Sequence, residues 1–191
     1  MIEPGAVESR DAGDFGAWFA SVTAALSGDG GSDVPCGTCT ACCSASQFVE
    51  VGLDEVDALA AIPRSLLFAA PGAPMGTLVM GYDEHGRCPM FGNGACSIYE
   101  HRPRACRVYD CRVFAATGVY PDESEKASVA DTARRWVFTY ASPSDRRQRE
   151  RIQTRARDLC GPVARSARTT GSPNATKVAI RAISEAGVAE S

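Results

Sequence analysis

The sequence lacks the long apolar runs of membrane proteins. Its most apolar segment, Ser65 to Ala73, is short and contains Pro71, whereas a membrane-spanning helix needs about 20 consecutive apolar residues. The segment from Met1 to Phe15 is acidic and has neither the basic flank nor the apolar stretch of a secretory signal. We therefore expect a cytoplasmic protein that does not enter a membrane.

Histidine is also scarce, because the chain has only His85 and His101. A metal site built on imidazole is not expected, and both histidines are interpreted as surface or supporting groups. The remaining composition, 45% hydrophobic and 23% charged, is typical of a globular protein. With 191 residues, the chain is long enough for one domain of ordinary size.

Against this ordinary background the chain has nine cysteines. A reducing compartment does not maintain structural disulfides, and reactive thiols are a liability there. Metal ligation gives a physical reason for so many thiols. The other interpretations are disulfides and small buried hydrophobic residues, and Cys160, isolated on an arginine-rich helix, is assigned to the second of these.

The amino-terminal part predicts one helix, from Asp14 to Leu26. Its large apolar residues fall on one helical stripe, Asp14 is a suitable N-cap, and Gly28 follows the end. The Gly-rich run from Gly28 to Pro35 is interpreted as a flexible connector to the first cysteines.

The middle of the chain predicts short elements of both kinds. A strand is expected from Phe48 to Val51, and a helix from Asp54, its N-cap, to Ala61. The pattern from Leu78 to Cys96 indicates a small irregular β segment with turns at Asp83–Gly86 and Gly92–Gly94. Ser97 and Glu100 fit a capping box, followed by a short helix that carries Cys106.

The carboxy-terminal part predicts three helices: Lys126 to Tyr140, Ser144 to Leu159 and Ser172 to Ala186. Ten arginines and three acids lie between Arg134 and Arg168, whereas the first sixty residues hold ten acids and the single base Arg10. The two regions are expected to attract each other and to pack together, with a solvated helix face. Contact with nucleic acid is the alternative, and it is not favoured, because the net charge is −3 and no aromatic residues interleave the arginines from Arg146 to Arg157.

The cysteines between Cys36 and Cys111 form two groups. In the first group, overlapping C-x-x-C spacings let sulfurs converge on one metal, although the adjacent Cys42 and Cys43 are expected to point in different directions. A tetrahedral site or a cluster needs about four ligands, so the second group must contribute. The eight thiols allow two four-ligand sites, one polynuclear site, or one site with spare thiols. The candidate metal ligands are Cys36, Cys39, Cys42, Cys43, Cys88, Cys96, Cys106 and Cys111.

These residues resemble a known family, the CxxCxxCC zinc- or iron-chelating proteins. They are also called YkgJ-type cysteine-cluster proteins and include flagellin N-methylases. The matching motifs are Cys36, Cys39, Cys42 and Cys43, then Cys88-Pro-Met-Phe91, then Cys96 to Arg107. The resemblance implies a cysteine-ligated metal ion or iron-sulfur cluster, and Cys111 lies just past the family's usual set of seven cysteines.

The resemblance does not extend to a methyl-transfer reaction. The methylases are similar only over the cysteine region, and this chain has no Gly-rich strand-to-helix turn that would hold a nucleotide-like methyl donor. Crowded thiolates favour an iron-sulfur cluster, with zinc as the alternative. Arg102 and Arg107 flank Cys106 and are candidates to bond sulfur and offset the negative charge of the centre.

The sequence thus predicts an α+β fold: a small irregular cysteine-rich core nucleated by metal, with a short β hairpin and flanking helices. We divide it into 1–35 (helix and linker), 36–118 (metal-binding domain) and 119–191 (arginine-rich helical extension packed on the same domain). Three functions are carried forward. These are a structural or electron-transfer metal centre, an enzyme component of a protein-modifying or redox system, and a module that docks a partner through its arginine-rich helices.

Overall fold

The structure is a computed structural model that describes residues 8–28, 34, 36–70, 72, 75–161 and 174–188. Helices and small sheets alternate along the chain, so the predicted α+β class is confirmed. In chain order the elements are β1 (Arg10–Asp14), α1 (Phe15–Leu26), β2 (Val49–Val51), α2 (Val56–Ala61), β3 (Leu67–Ala69), β4 (Leu78–Met80), β5 (Phe91–Gly92), β6 (Ala95–Cys96), α3 (Arg104–Val108), α4 (Arg112–Thr117), α5 (Ala127–Arg134), β7 (Trp136–Thr139), α6 (Pro143–Cys160) and α7 (Ala175–Val188).

These elements form two compact units. The first unit comprises Met1–Gly30, Cys111–Asp122 and Ala130–Ser191, and the second comprises Gly31–Asp110 and Glu123–Val129. Among the residues described, no helix is both long and apolar enough to cross a membrane. Most of the predicted linker before Pro35 and the Ser172–Pro173 start of the last predicted helix lie outside the described residues.

In the first unit, the helices begin where local capping chemistry places them. The Asp14 carboxylate accepts a hydrogen bond from the Ala17 amide at 2.9 Å, which confirms the predicted start of α1. At α6, the Ser142 hydroxyl accepts from the Asp145 amide and the Asp145 carboxylate accepts from the Ser142 amide, at 3.3 and 2.9 Å. This reciprocal capping box confirms the predicted helix after Pro143.

The predicted helix from Lys126 to Tyr140 is wrong in its second half. Helix α5 ends at Arg134, and Trp136–Thr139 form strand β7, which pairs in parallel with β1. Aromatic and β-branched residues favour a strand here, and Phe138 is buried with its ring edge-on to Phe15 at a centroid distance of 5.3 Å. A partner strand more than a hundred residues away therefore decides the structure of this segment.

In the second unit, a three-stranded antiparallel sheet of order β2-β4-β3 supports the core. One face of the sheet presents Val51 and Met80 to α2 and the following loops. The buried apolar cluster consists of Val51, Ala58, Ile62, Met80 and Ile98. Cys88, Met90 and Cys96 pack against this cluster, so the cysteine-bearing loops lie directly on the core.

The turns of the second unit agree with the sequence better than its helix caps do. The chain turns back at Asp83–Gly86, where the Asp83 amide donates to the Arg87 carbonyl at 2.7 Å. Strands β5 and β6 form the short hairpin around Asn93, a non-glycine residue with φ 51°. Helix α3 carries Cys106, as predicted.

Two predicted caps in this unit are wrong. Helix α2 starts at Val56 rather than Asp54, and the Asp54 carboxylate instead accepts from the Arg104 guanidinium at 2.6 Å. The Ser97 hydroxyl donates to the Met90 carbonyl at 2.9 Å, so it caps no helix. A single 3-10 turn, Tyr99–His101, follows it. In both cases the side chain bonds a group outside the predicted helix instead of an amide in its first turn.

Candidate metal centre

A partly enclosed cavity of about 270 Å³ lies in the second unit and brings together seven of the nine cysteines. The thiol-bearing residues that line it are Cys36, Cys39, Cys42, Cys43, Cys88, Cys96 and Cys106. Apolar side chains, including Met80, Ile98 and Pro103, form most of the remaining surface. The cavity therefore combines soft sulfur donors with a lining of low polarity.

The first cysteine stretch is a series of tight turns. The Cys39 amide donates to the Cys36 carbonyl at 2.9 Å, and a 3-10 helix covers Cys42–Ser44. Outside the stretch, the Ser128 hydroxyl donates to the Ala41 carbonyl at 2.9 Å and holds the second turn in place. Such turns direct several thiols of a short segment to one side.

The adjacent Cys42 and Cys43 do not point in different directions. Their side chains hydrogen-bond to each other, and both line the cavity. The segment is a 3-10 turn rather than the stretch of α-helix on which the expectation was based. The corrected arrangement presents two neighbouring sulfurs to one space.

The two cysteine stretches are joined directly through the backbone. The Cys88 amide donates to the Cys43 carbonyl at 2.8 Å, a bond between residues far apart in the chain. Hairpin β5–β6 then presents Cys96, and α3, which begins directly after the buried Pro103, presents Cys106. The arrangement of seven thiols is thus a property of the packed fold and not only of the motif.

Burial keeps several of these thiols protonated in the metal-free protein. Burial raises the pKa of Cys106 to about 12, and neighbouring thiols add to the effect. Burial is also the largest cause of the raised pKa of Cys36 and of Cys88. For Cys42 the hydrogen bond with Cys43 is the largest cause of a raised pKa. These four thiols are therefore neutral at pH 7 until a cation replaces their protons.

The donor set fits a thiolate-bound metal in kind and number. Within the described ranges, however, no three histidine, cysteine, aspartate or glutamate side chains stand close enough together to hold one ion as they are placed. Without a cation, no electrostatic attraction draws the sulfurs together. Binding at M–S distances of about 2.3 Å would require the sulfurs to move inward by side-chain rotation.

The two candidate arginines occupy different places. Arg102 lines the thiol cavity, is 8% exposed, and stacks its guanidinium 3.9 Å from the centre of the Tyr99 ring. Arg107 lines a separate polar cavity with Glu55 and His101, and its guanidinium donates to the Arg102 carbonyl at 2.7 Å. Arg102 alone of this pair faces the thiols.

Two thioethers at the cavity were not anticipated from the sequence. Met80 and Met90 both line it. Met90 lies within the motif segment Cys88-Pro-Met-Phe91, which gave a usable signal. Met80 lies in strand β4, outside the cysteine motifs, and the sequence gave no signal for it. Thioether sulfur is a soft, weak donor and packs readily beside thiolates.

The last two cysteines have other surroundings. Cys111 belongs to the first unit, where it precedes α4 and its sulfur accepts a hydrogen bond from the Trp136 indole at 3.1 Å. Cys160 ends α6 in the same unit. Neither residue lines the thiol cavity, and all nine cysteines are free thiols without disulfides.

This set of sulfur donors is characteristic of a small class of cysteine-cluster metal proteins. A family model, CxxCxxCC, described as a zinc- or iron-chelating domain, matches residues 35–132, just over half of the chain. The chain belongs to this family, and its role is cysteine-based metal binding. No curated protein and no solved structure matches the chain.

Proposed function

We propose that the protein carries an iron-sulfur cluster, bound by cysteine thiolates of the second unit, as a structural or electron-transfer centre. One observation carries the proposal: thiols from two distant stretches line a single cavity, and a backbone bond between Cys88 and Cys43 fixes the stretches together. The ligands are drawn from Cys36, Cys39, Cys42, Cys43, Cys88, Cys96 and Cys106. Cys111 is a less favoured eighth candidate.

The size of the site favours a cluster over a single zinc ion. A structural zinc site closes around the ion with four ligands at about 2.3 Å, whereas here seven thiols surround a cavity of about 270 Å³. A polynuclear centre would use this space and the low polarity of its lining. Zinc is the alternative, and either centre would take about four of the seven thiols.

A bound cluster would supply one-electron chemistry at this position. The chain's contribution is the environment: Met80, Ile98 and Pro103 limit access of water, and Arg102 places a positive charge beside the thiolates. Burial and nearby charge are the features by which proteins set the potential of such centres. A reducing, cytoplasmic location is part of the proposal, since nine free thiols persist there.

Anaerobic purification with elemental analysis and an absorption spectrum tests the proposal. We expect iron and acid-labile sulfide together with a visible chromophore that oxidation removes. Cys88→Ser should lose most of the metal, whereas the matched variant Cys160→Ser, outside the cavity, should keep it. Colourless protein with stoichiometric zinc would replace the cluster by the alternative, and folded wild type with neither metal would overturn the proposal.

A further inference from the structure

Among the described residues that line the thiol cavity, Arg102 is the one basic side chain, and no carboxylate lines it. Arg102 is also more than nine-tenths buried, with 8% exposure. An arginine almost never occupies such a place without an interaction that offsets the loss of hydration. Arg102 places a buried guanidinium on a cavity that is lined by seven thiols.

The local structure holds the guanidinium at this place. Its carbon lies 3.9 Å from the centre of the Tyr99 ring, within the range of a cation–π interaction. On the backbone side, Arg107 donates to the Arg102 carbonyl at 2.7 Å, and the buried Pro103 follows directly. Arg102 is therefore positioned before any metal binds, so its placement costs little conformational entropy on binding.

Metal binding changes the charge of the cavity in a direction that Arg102 opposes. Four thiolates around a divalent ion carry a net charge of about −2. In surroundings of low polarity such a charge is strongly unfavourable unless a cation lies nearby. Asp110, buried in the same unit, raises the pKa of Cys36, whereas Arg102 lowers it, and the effect of Arg102 is the larger of the two.

We propose that Arg102 is the charge-compensating residue of the thiolate centre, and that its positive charge stabilises the metal-bound state. The inference rests on the proposed function, because it requires a metal held by the cavity thiols. It assigns different roles to two arginines of one motif: Arg102 acts on the centre by charge, and Arg107 supports the backbone next to it.

The experiment measures the affinity of the full-length metal-free protein for Zn²⁺ by competition with a chelator, under anaerobic reducing conditions. Two neutral variants are used, Arg102→Gln and Arg102→Met, the second because an apolar chain of similar reach preserves packing in a cavity. Arg102→Lys retains the charge. Arg104→Gln is the matched control, since it removes an exposed arginine of α3 whose guanidinium bonds Asp54.

Both neutral variants should bind Zn²⁺ at least tenfold more weakly, the usual scale for loss of a group that supports the ligands of a metal. Arg102→Lys and Arg104→Gln should stay within about threefold of wild type. The proposal is overturned if a folded neutral variant binds as wild type does, if lysine fails to rescue, or if Arg104→Gln is equally weak. Failure of both neutral variants to fold, while the lysine variant folds, would assign a structural role instead.

The same measurements separate this inference from the proposed function. Wild type that binds neither Zn²⁺ nor iron would refute the metal centre itself, and the inference with it. Wild type that binds Zn²⁺ tightly, with no dependence on the charge at position 102, would leave the metal centre intact and remove only the role of Arg102. In iron-loaded protein, the neutral variants should also show a lower reduction potential, because the reduced centre is the more negative one.

Discussion

The indole N–H of Trp136 donates a hydrogen bond to the sulfur of Cys111 at 3.1 Å. Trp136 opens strand β7, and the Arg10 guanidinium lies over its ring, 4.6 Å from the centre. The sulfur thus joins the N-cap residue of α4 to the parallel β1–β7 pair of the first unit. Cys111 has a structural explanation that involves no metal.

This contact leads to a prediction for Cys111→Ala. The variant should keep the full metal content, while its free energy of unfolding should fall by about 1 kcal/mol through loss of a partly buried hydrogen bond and of packing around Trp136. Elemental analysis and denaturant unfolding measure the two quantities. Cys106→Ala is the control and should lose metal. Equal loss of metal from both variants would make Cys111 an eighth ligand, as the sequence predicted.

Asp14 has two structural functions in the first unit. One carboxylate oxygen accepts from the Ala17 amide and caps α1, and the other accepts from the Ala141 amide just after β7, each at 2.9 Å. We expect Asp14→Ala to lower the free energy of unfolding by about 2 kcal/mol, the sum of a lost cap and a lost hydrogen bond.

Asp11→Ala is the matched control for this variant. Asp11 also lies in β1, but the bond its carboxylate accepts, from the Gly13 amide at 2.8 Å, is local. Its replacement should cost about 0.5 kcal/mol or less, as is usual for a surface substitution. Chemical denaturation of both variants makes the comparison. Equal losses would show that the second bond of Asp14 contributes nothing.

The parts of the fold that could be predicted are those set by neighbouring residues. Asp14 and Ser142 cap their helices through amides three positions away, so the sequence alone locates both helix starts. Strand β7 could not be predicted in this way, because its partner β1 lies at the other end of the chain. The capping role predicted for Ser97 is wrong for a different reason: its hydroxyl donates across the β5–β6 hairpin to the Met90 carbonyl, seven residues earlier.

The candidate site shows the same limit. Spacing and family resemblance grouped the seven cavity cysteines, because a C-x-x-C turn is a local structure. The sequence could not separate Arg102 from Arg107, which flank the same cysteine. Their different directions depend on how the 3-10 turn, Pro103 and α3 follow one another, and this places one guanidinium in the thiol cavity and the other in a neighbouring one.

Glu185 of α7 leads to a prediction about acid stability. It accepts from the Arg155 guanidinium of α6 and, at 2.7 Å, from the Arg181 guanidinium, and these bonds lower the pKa of its carboxyl from 4.5 to about 2. A carboxyl whose pKa is lowered in the folded state contributes stability above its unfolded pKa. That contribution is lost as the pH falls from about 4.5 to about 2.

The measurement compares wild type with Glu185→Gln over this range. The variant should melt at a lower temperature at pH 6, and the difference should shrink progressively between pH 4.5 and 2. The effect should be modest and should weaken in high salt, because the ion pairs are partly exposed. Glu150→Gln, at an exposed position of α6, is the control. A difference in melting temperature that is constant with pH would contradict the assignment.

The raised thiol pKa values lead to a last prediction, that metal binding releases protons. Burial and neighbouring thiols raise the pKa of Cys106 to about 12 and that of Cys36 and Cys88 above the ordinary 9.0, so these three thiols are protonated at pH 7. Each thiol that binds Zn²⁺ as a thiolate must lose one proton, and the apparent affinity falls about tenfold per released proton for each unit of pH decrease. With four ligands, the dissociation constant should rise about 10,000-fold from pH 8 to pH 7.

The same raised thiol pKa values predict that the metal-free protein loses stability at alkaline pH. Thiols whose pKa is raised on folding favour the folded state below pH 9, and this stability is lost as the pH rises from 9 towards 12. Denaturant unfolding at pH 8 and pH 10 measures this loss of stability.

Proton release is measured by adding Zn²⁺ to metal-free protein in weak buffer. Release of fewer than about two protons per zinc would mean that the ligands are already thiolates, and that burial does not raise the pKa of the thiols in this cavity.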